Sequence, residues 1–274
     1  MMRPLALRTV ISTDNIDHQE DTMARATRAG TIDRSDHGGE RIAALSGTMF
    51  VALLVVHAAL QAGGLPTLQD PAGEIVRYLT DKRLEIQIGT YLQGLAMVAY
   101  LWFLGSLWRL LRPAERGPAR LSITAVAATG TSIALVGIHV AILTGLSLCA
   151  DTGIDPQVVS ALYLIAFVVL GMSNFATAAL MGALGTLILR TVTLPQWLGY
   201  LGVGSAVLWL LAGVGATTDS DVWGAVGFLA FLVWLAWTAT ASITVARRVG
   251  RVHPAGDNDD VSAGGPAVSA ASHR

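Results

Sequence analysis

The sequence predicts an all-α polytopic membrane bundle of six transmembrane helices, and three observations predict it. Of 274 residues, 53% are hydrophobic and only 14% charged, with a mean hydropathy of +0.57. A soluble domain carries about 25% charged residues, so this chain lacks the charge to solvate a surface. Second, six apolar runs, at about 42–63, 86–111, 122–149, 159–189, 196–216 and 222–246, hold no Lys, Arg, Asp or Glu in their middles. Each is long enough for the ~20 helical residues that cross a ~30 Å hydrocarbon core. Third, the runs are continuous rather than alternating, which excludes a β-barrel. The expected partner is therefore the lipid bilayer. A net charge of −1 offers no footprint for nucleic acid.

Ahead of the first run, residues 1–40 carry seven acidic and five basic side chains with almost no apolar period, which predicts a disordered tail. Met23 is an alternative start. The first run begins too late for a cleaved signal peptide, so it is expected to act as an uncleaved anchor. The second run is preceded by Asp70-Pro71, a helix-start signal with an acceptor at the cap and proline at the first helical position. Ile75, Val76, Tyr78 and Leu79 then share one side, opposite Glu74, Arg77, Asp81 and Lys82. This predicts a short amphipathic helix on the outer membrane surface, hiding its apolar side in the headgroups, with a lid over a cavity as the alternative. Pro195 opens the fifth span, where proline is harmless. Residues 247–274, rich in Gly, Ala, Ser and Asp beyond Gly250, are expected to form a second disordered tail.

Orientation follows from the basic residues. With the N-terminus in the cytoplasm, 15 of 18 Lys and Arg fall inside, and only Arg77, Lys82 and Arg83 outside. The positive-inside rule then puts both termini in the cytoplasm, N-in and C-in. Trp108, Trp197 and Tyr200 mark the inner ends, and Tyr91, Tyr163 and Trp223 the outer ends. Arginine outnumbers lysine 17 to 1, a bias that suggests a high-G+C bacterium, and hence a bacterial cytoplasmic (inner) membrane. Asp151, Asp155, Asp219 and Asp221 lie outside, where a cation between two loops is the alternative to solvated acids.

In the third run Gly130, Ala134, Gly137, Ala141 and Gly145 make one smooth stripe, and Ala178/Gly182 and Gly202/Ala206 make shorter small-residue pairs. Small residues let helix backbones approach closely in lipid. The expectation is packing within the bundle, with a homodimer or membrane-protein partner on the long stripe as the alternative.

Polar groups within the spans are the candidate functional residues, because burying them without partners is costly. They are His57 and Gln61, Gln93, Ser132 and His139, and Asn174. His57 and His139 fall at similar depth, ~24 Å and ~28 Å beyond Arg41 and Arg120. Two such histidines suit axial haem ligands, a metal pair or a proton relay. His139, however, points away from the small-residue stripe, and the spacing does not bring it to His57. The bland expectation is that each histidine donates to a neighbouring carbonyl or Gln, and that Asn174 bonds across helices. Gln61, Gln93 and Asn174 are the candidate solute contacts. One cysteine, Cys149, allows no internal disulfide.

Tyr91-Leu92-Gln93-Gly94-Leu95-Ala96, running on through Leu101-Trp102-Phe103-Leu104 to Leu107-Trp108-Arg109, resembles a span of uncharacterised bacterial multi-pass membrane proteins. Leu194-Pro195-Gln196-Trp197-Leu198-Gly199-Tyr200 is similar to a turn in the same group. The resemblance implies a six-helix membrane fold and, since the group has no assigned activity, no catalytic residue. Three function classes remain: a non-enzymatic helper, sensor or assembly protein, favoured on sequence; a carrier or binder of an apolar or lipid-like molecule; and a membrane oxidoreductase holding haem or metal on His57 and His139. The absence of charge within the spans suits an uncharged ligand.

Overall fold

The computed structural model describes residues 42–61, 64–67, 70–215 and 221–249. Among these there is no strand, and six helices are long and apolar enough to cross a membrane. They are α1 (Ile42–Leu60), α3 (Arg83–Leu111), α4 (Arg120–Cys149), α5 (Pro156–Thr191), α6 (Gln196–Val214) and α7 (Asp221–Val249). A short helix, α2 (Ala72–Asp81), joins α1 to α3. The expected tails at 1–41 and 250–274, and Asp219, lie outside the described residues.

Four contacts fix the bundle. The closest crossing is α5 on α6, where glycines remove the side chains from both backbones. A Cβ at Gly185 would lie 2.7 Å from the Val203 nitrogen and 2.8 Å from the Gly199 oxygen, and one at Gly182 would meet Ala206 at 3.6 Å. The short small-residue pairs are thus spent inside the bundle, as expected. Beside them Trp237 of α7, fully buried, donates its indole N–H to the Leu198 carbonyl at 2.9 Å, in the first turn of α6. The Ser242 hydroxyl of α7 reaches α1, donating to the Ala44 carbonyl at 2.5 Å while accepting from the Thr48 N–H at 3.1 Å. Gly47 of α1 sits so close to Phe103 of α3 that a Cβ there would lie 2.8 Å from its ring.

Glu115 opens the loop before α4 and its side chain reaches forward to cap that helix. Its carboxylate accepts from the N–H groups of Leu121 at 2.9 Å and Ser122 at 3.1 Å, and from the Ser122 hydroxyl. Three donors of the first turn are thereby satisfied by an anion at the positive end of the helix dipole. Desolvation pushes the Glu115 carboxyl up, but these hydrogen bonds together, with Arg112 nearby, outweigh it and hold the group below the ordinary glutamate value.

Several expectations are corrected. The long stripe of α4 does not pack within the bundle. A Cβ at Gly130, Gly137 or Gly145 would meet nothing within 4 Å, and Ala134 and Ala141 are exposed. The buried face of α4 is instead the opposite one, which carries His139. Asp70 does not cap α2: its carboxylate turns back to accept from the Thr67 N–H at 2.8 Å and the Thr67 hydroxyl at 2.9 Å. Pro71 takes the cap position and helix α2 begins one residue later.

The amphipathic pattern of α2 was legible, but its apolar side is used by protein. Ile75 and Leu79 are buried in a small core with Ile86, Leu146, Val159 and Tyr163. Tyr163 is not an interface anchor, for it is buried, while Trp223 is half-buried. Tyr91, Trp197 and Tyr200 remain exposed, as anchors require.

Candidate functional site: an uncharged cavity within the bundle

A cavity of about 1070 Å³ lies among α1, α3, α4, α5, α6 and α7, with α2 at one end. All five candidate residues chosen from the sequence, His57, Gln61, Gln93, His139 and Asn174, line it. Ser132, also singled out, lines it and shares a hydrogen bond with Thr177 at 3.0 Å. His57, Gln93, His139 and Asn174 converge from the inward faces of their helices, and Gln61 joins them from the turn that ends α1.

The polar groups differ in how they are held. His139 is nine-tenths buried, and its Nδ1–H donates to the Ala166 carbonyl of α5 at 2.8 Å. Phe167 meets the imidazole edge-on, with centroids 5.2 Å apart. The expected carbonyl partner is therefore present for His139. His57 turns its buried Nδ1 to the Gly89 backbone of α3. Gly89 permits this approach, since a Cβ there would come within 2.9 Å of Nδ1. Asn174 makes no bond across helices, and the side-chain amides of Gln61 and Gln93 likewise find no partner among the described residues.

The rest of the lining is aromatic and apolar. Phe50, Tyr100, Trp209, Phe231 and Trp234 form one wall near mid-span. Trp234 is its hub, with ring centroids 5.2 Å from Phe50, 5.5 Å from Tyr100 and 6.0 Å from Trp209. Its indole N–H donates to the Tyr100 hydroxyl at 3.2 Å. The Trp209 indole nitrogen is buried without a partner. Sequence reasoning placed aromatics at helix ends and missed this wall. The available signal was the mid-span position of Tyr100, Trp209 and Trp234, since an aromatic with a polar handle far from the headgroups must find its partner inside.

No family model, curated protein or solved structure matches this chain. The site's chemistry must therefore be read from its own residues.

Among the described residues, no Asp, Glu, Lys or Arg lines the cavity. Tyr78, which does, has its phenol pushed up by burial and by nearby Glu85, so it also stays neutral. A haem would bring two propionates into this space with no cation to pair them, and buried unpaired carboxylates are strongly disfavoured. The lining therefore does not fit haem. No three His, Cys, Asp or Glu come together among the described residues to hold a metal. The loop acids are used locally: Asp151 pairs with Arg83 at 3.2 Å, and Asp155 caps α5 by accepting from the Gln157 N–H at 2.8 Å.

The loop before α2 and α2 itself border one end of the cavity. Leu65, Tyr78 and Leu79 line it there, and the Tyr163 hydroxyl donates to the Pro66 carbonyl at 3.0 Å, tying the loop before α2 to α5.

Proposed function

We propose that this integral membrane protein binds a neutral, hydrogen-bonding amphiphile inside its helical bundle. The observation that carries the reading is the convergence on one uncharged cavity of His57, Gln61, Gln93 and Asn174, the three amides having no hydrogen-bond partner among the described residues. Polar groups left unpaired in a bilayer interior cost free energy that a helper protein, packing for stability alone, gains nothing by keeping. A ligand with donors and acceptors restores their hydrogen bonds, and the aromatic wall takes its apolar body. The reading thus prefers the binder over the non-enzymatic helper favoured on sequence.

The test compares wild type with Gln93→Leu and Asn174→Leu in detergent, with neutral and anionic fractions of a membrane lipid extract added. A neutral fraction should raise the melting temperature of the wild type. Both variants should keep their helical circular dichroism and lose that response. Equal responses from all three proteins would remove the amides from the site.

The same reading includes an orientation. The arginine-rich ends of the spans face the cytoplasm, with both termini there, and α2 lies outside, because 15 of 18 basic residues then fall inside. The excess of arginine over lysine, 17 to 1, supports a bacterial inner membrane as the location in this reading. A second copy of the chain is placed against the open small-residue face of α4, where smooth backbone invites close helix contact in lipid.

A further inference from the structure

We infer that the ligand is a flat ring bearing a hydroxyl, a phenol or quinol with an apolar tail, whose O–H is donated to His139 Nε2; this rests on the cavity being a binding site. The argument begins with a proton. The partner of His139 Nδ1 is the Ala166 carbonyl, 2.8 Å away, and a carbonyl only accepts. Nδ1 of the neutral ring therefore carries the hydrogen, and Nε2 is left as a lone pair. Among the described residues that nitrogen has no hydrogen bond, and the residue lines the cavity. A lone pair so fixed accepts and cannot donate. It selects a ligand that offers O–H or N–H at this point and penalises one that offers only a carbonyl or ether oxygen.

The ring is specified by the wall. Phe50, Tyr100, Trp209 and Trp234 present tilted and edge-on faces to one another, with centroids 4.5–6.0 Å apart. Counting 1.5 Å per residue from the arginine-rich helix ends puts this wall about 10 Å deeper than His139. One or two fused rings span that distance. Aromatic rings prefer such offset and edge-to-face surroundings over plain hydrocarbon. The lack of any charged lining residue excludes a carboxylate or phosphate head. Gln93 and Asn174, whose amides both donate and accept, suit a second oxygen on the ring.

The experiment titrates 4-hexylphenol and its methyl ether, 4-hexylanisole, into the full-length protein in nanodiscs. Fluorescence of Trp209, Trp223 and Trp234, excited to the red of phenol absorption, reports binding. The two probes share ring and tail and differ by the hydroxyl hydrogen. The phenol should bind at least tenfold more tightly than the ether to wild type. The preference should fall to within twofold in His139→Leu. Equal affinities for the two probes in wild type would overturn the inference while leaving the cavity a binding site. Binding of neither probe would also overturn it, and the lipid-fraction melting experiment would then decide the broader reading separately. The wild-type comparison stands even if His139→Leu fails to fold.

Discussion

Glu115 shows how much one side chain can decide outside the membrane. It lies seven residues before Ser122, and nothing in local sequence patterning marks it as a cap, yet its carboxylate serves three donors of α4. Because its folded pKa lies below the unfolded one, its contribution is full above the unfolded value. It is lost as pH falls through the folded value, below about pH 4.3. Glu115→Gln should therefore lower stability by about 0.5–1 kcal/mol at neutral pH, the size of a lost cap. The two proteins should converge in thermal melts taken toward pH 3; a constant gap across that range would show that the charge is not what matters. The candidate site was more legible. His57, Gln61, Gln93, His139 and Asn174 could be found one by one as polar residues within apolar runs, since cost alone marks them. What could not be read was their convergence, because helical spacing fixes a face but not the neighbour it meets.

Among the elements, the spans were readable to within a few residues because each is defined by composition against a fixed bilayer thickness. Their contacts were readable only where glycine patterns met. The α5–α6 pairs pack as expected, while the longer stripe on α4 does not, although both obey the same spacing. The difference lies in the opposite face of α4: burying Leu146 and Ser147 with His139 turns the stripe outward. Gly185→Val, which places atoms against the α6 backbone, should unfold the bundle or cost at least 3 kcal/mol. Gly137→Val meets empty space and should leave the fold unchanged while abolishing dimers seen by cross-linking in membranes. A Gly137→Val protein that still cross-links as wild type would take the second copy off that face. Helix α2 illustrates the same limit. Its amphipathic period was clear, but whether lipid or protein would cover Ile75 and Leu79 depended on the ends of α4 and α5.

For the whole molecule, topology and content are separate claims with separate tests. Cys149 is exposed at the end of α4 opposite Arg120. An impermeant thiol reagent should label it in intact cells, and labelling only after the inner face is opened would invert the orientation. The content of the bundle is the central claim, because six helices that packed only for stability would be expected to close on apolar side chains rather than surround about 1070 Å³ lined with amides that have no partner among the described residues. Native mass spectrometry of the protein released from its own membrane tests this most directly. The account predicts a one-to-one adduct of a neutral small molecule, retained by wild type and lost from the Gln93→Leu, Asn174→Leu double variant. A wild-type spectrum showing only the bare chain, or adducts unchanged by the double variant, would contradict it.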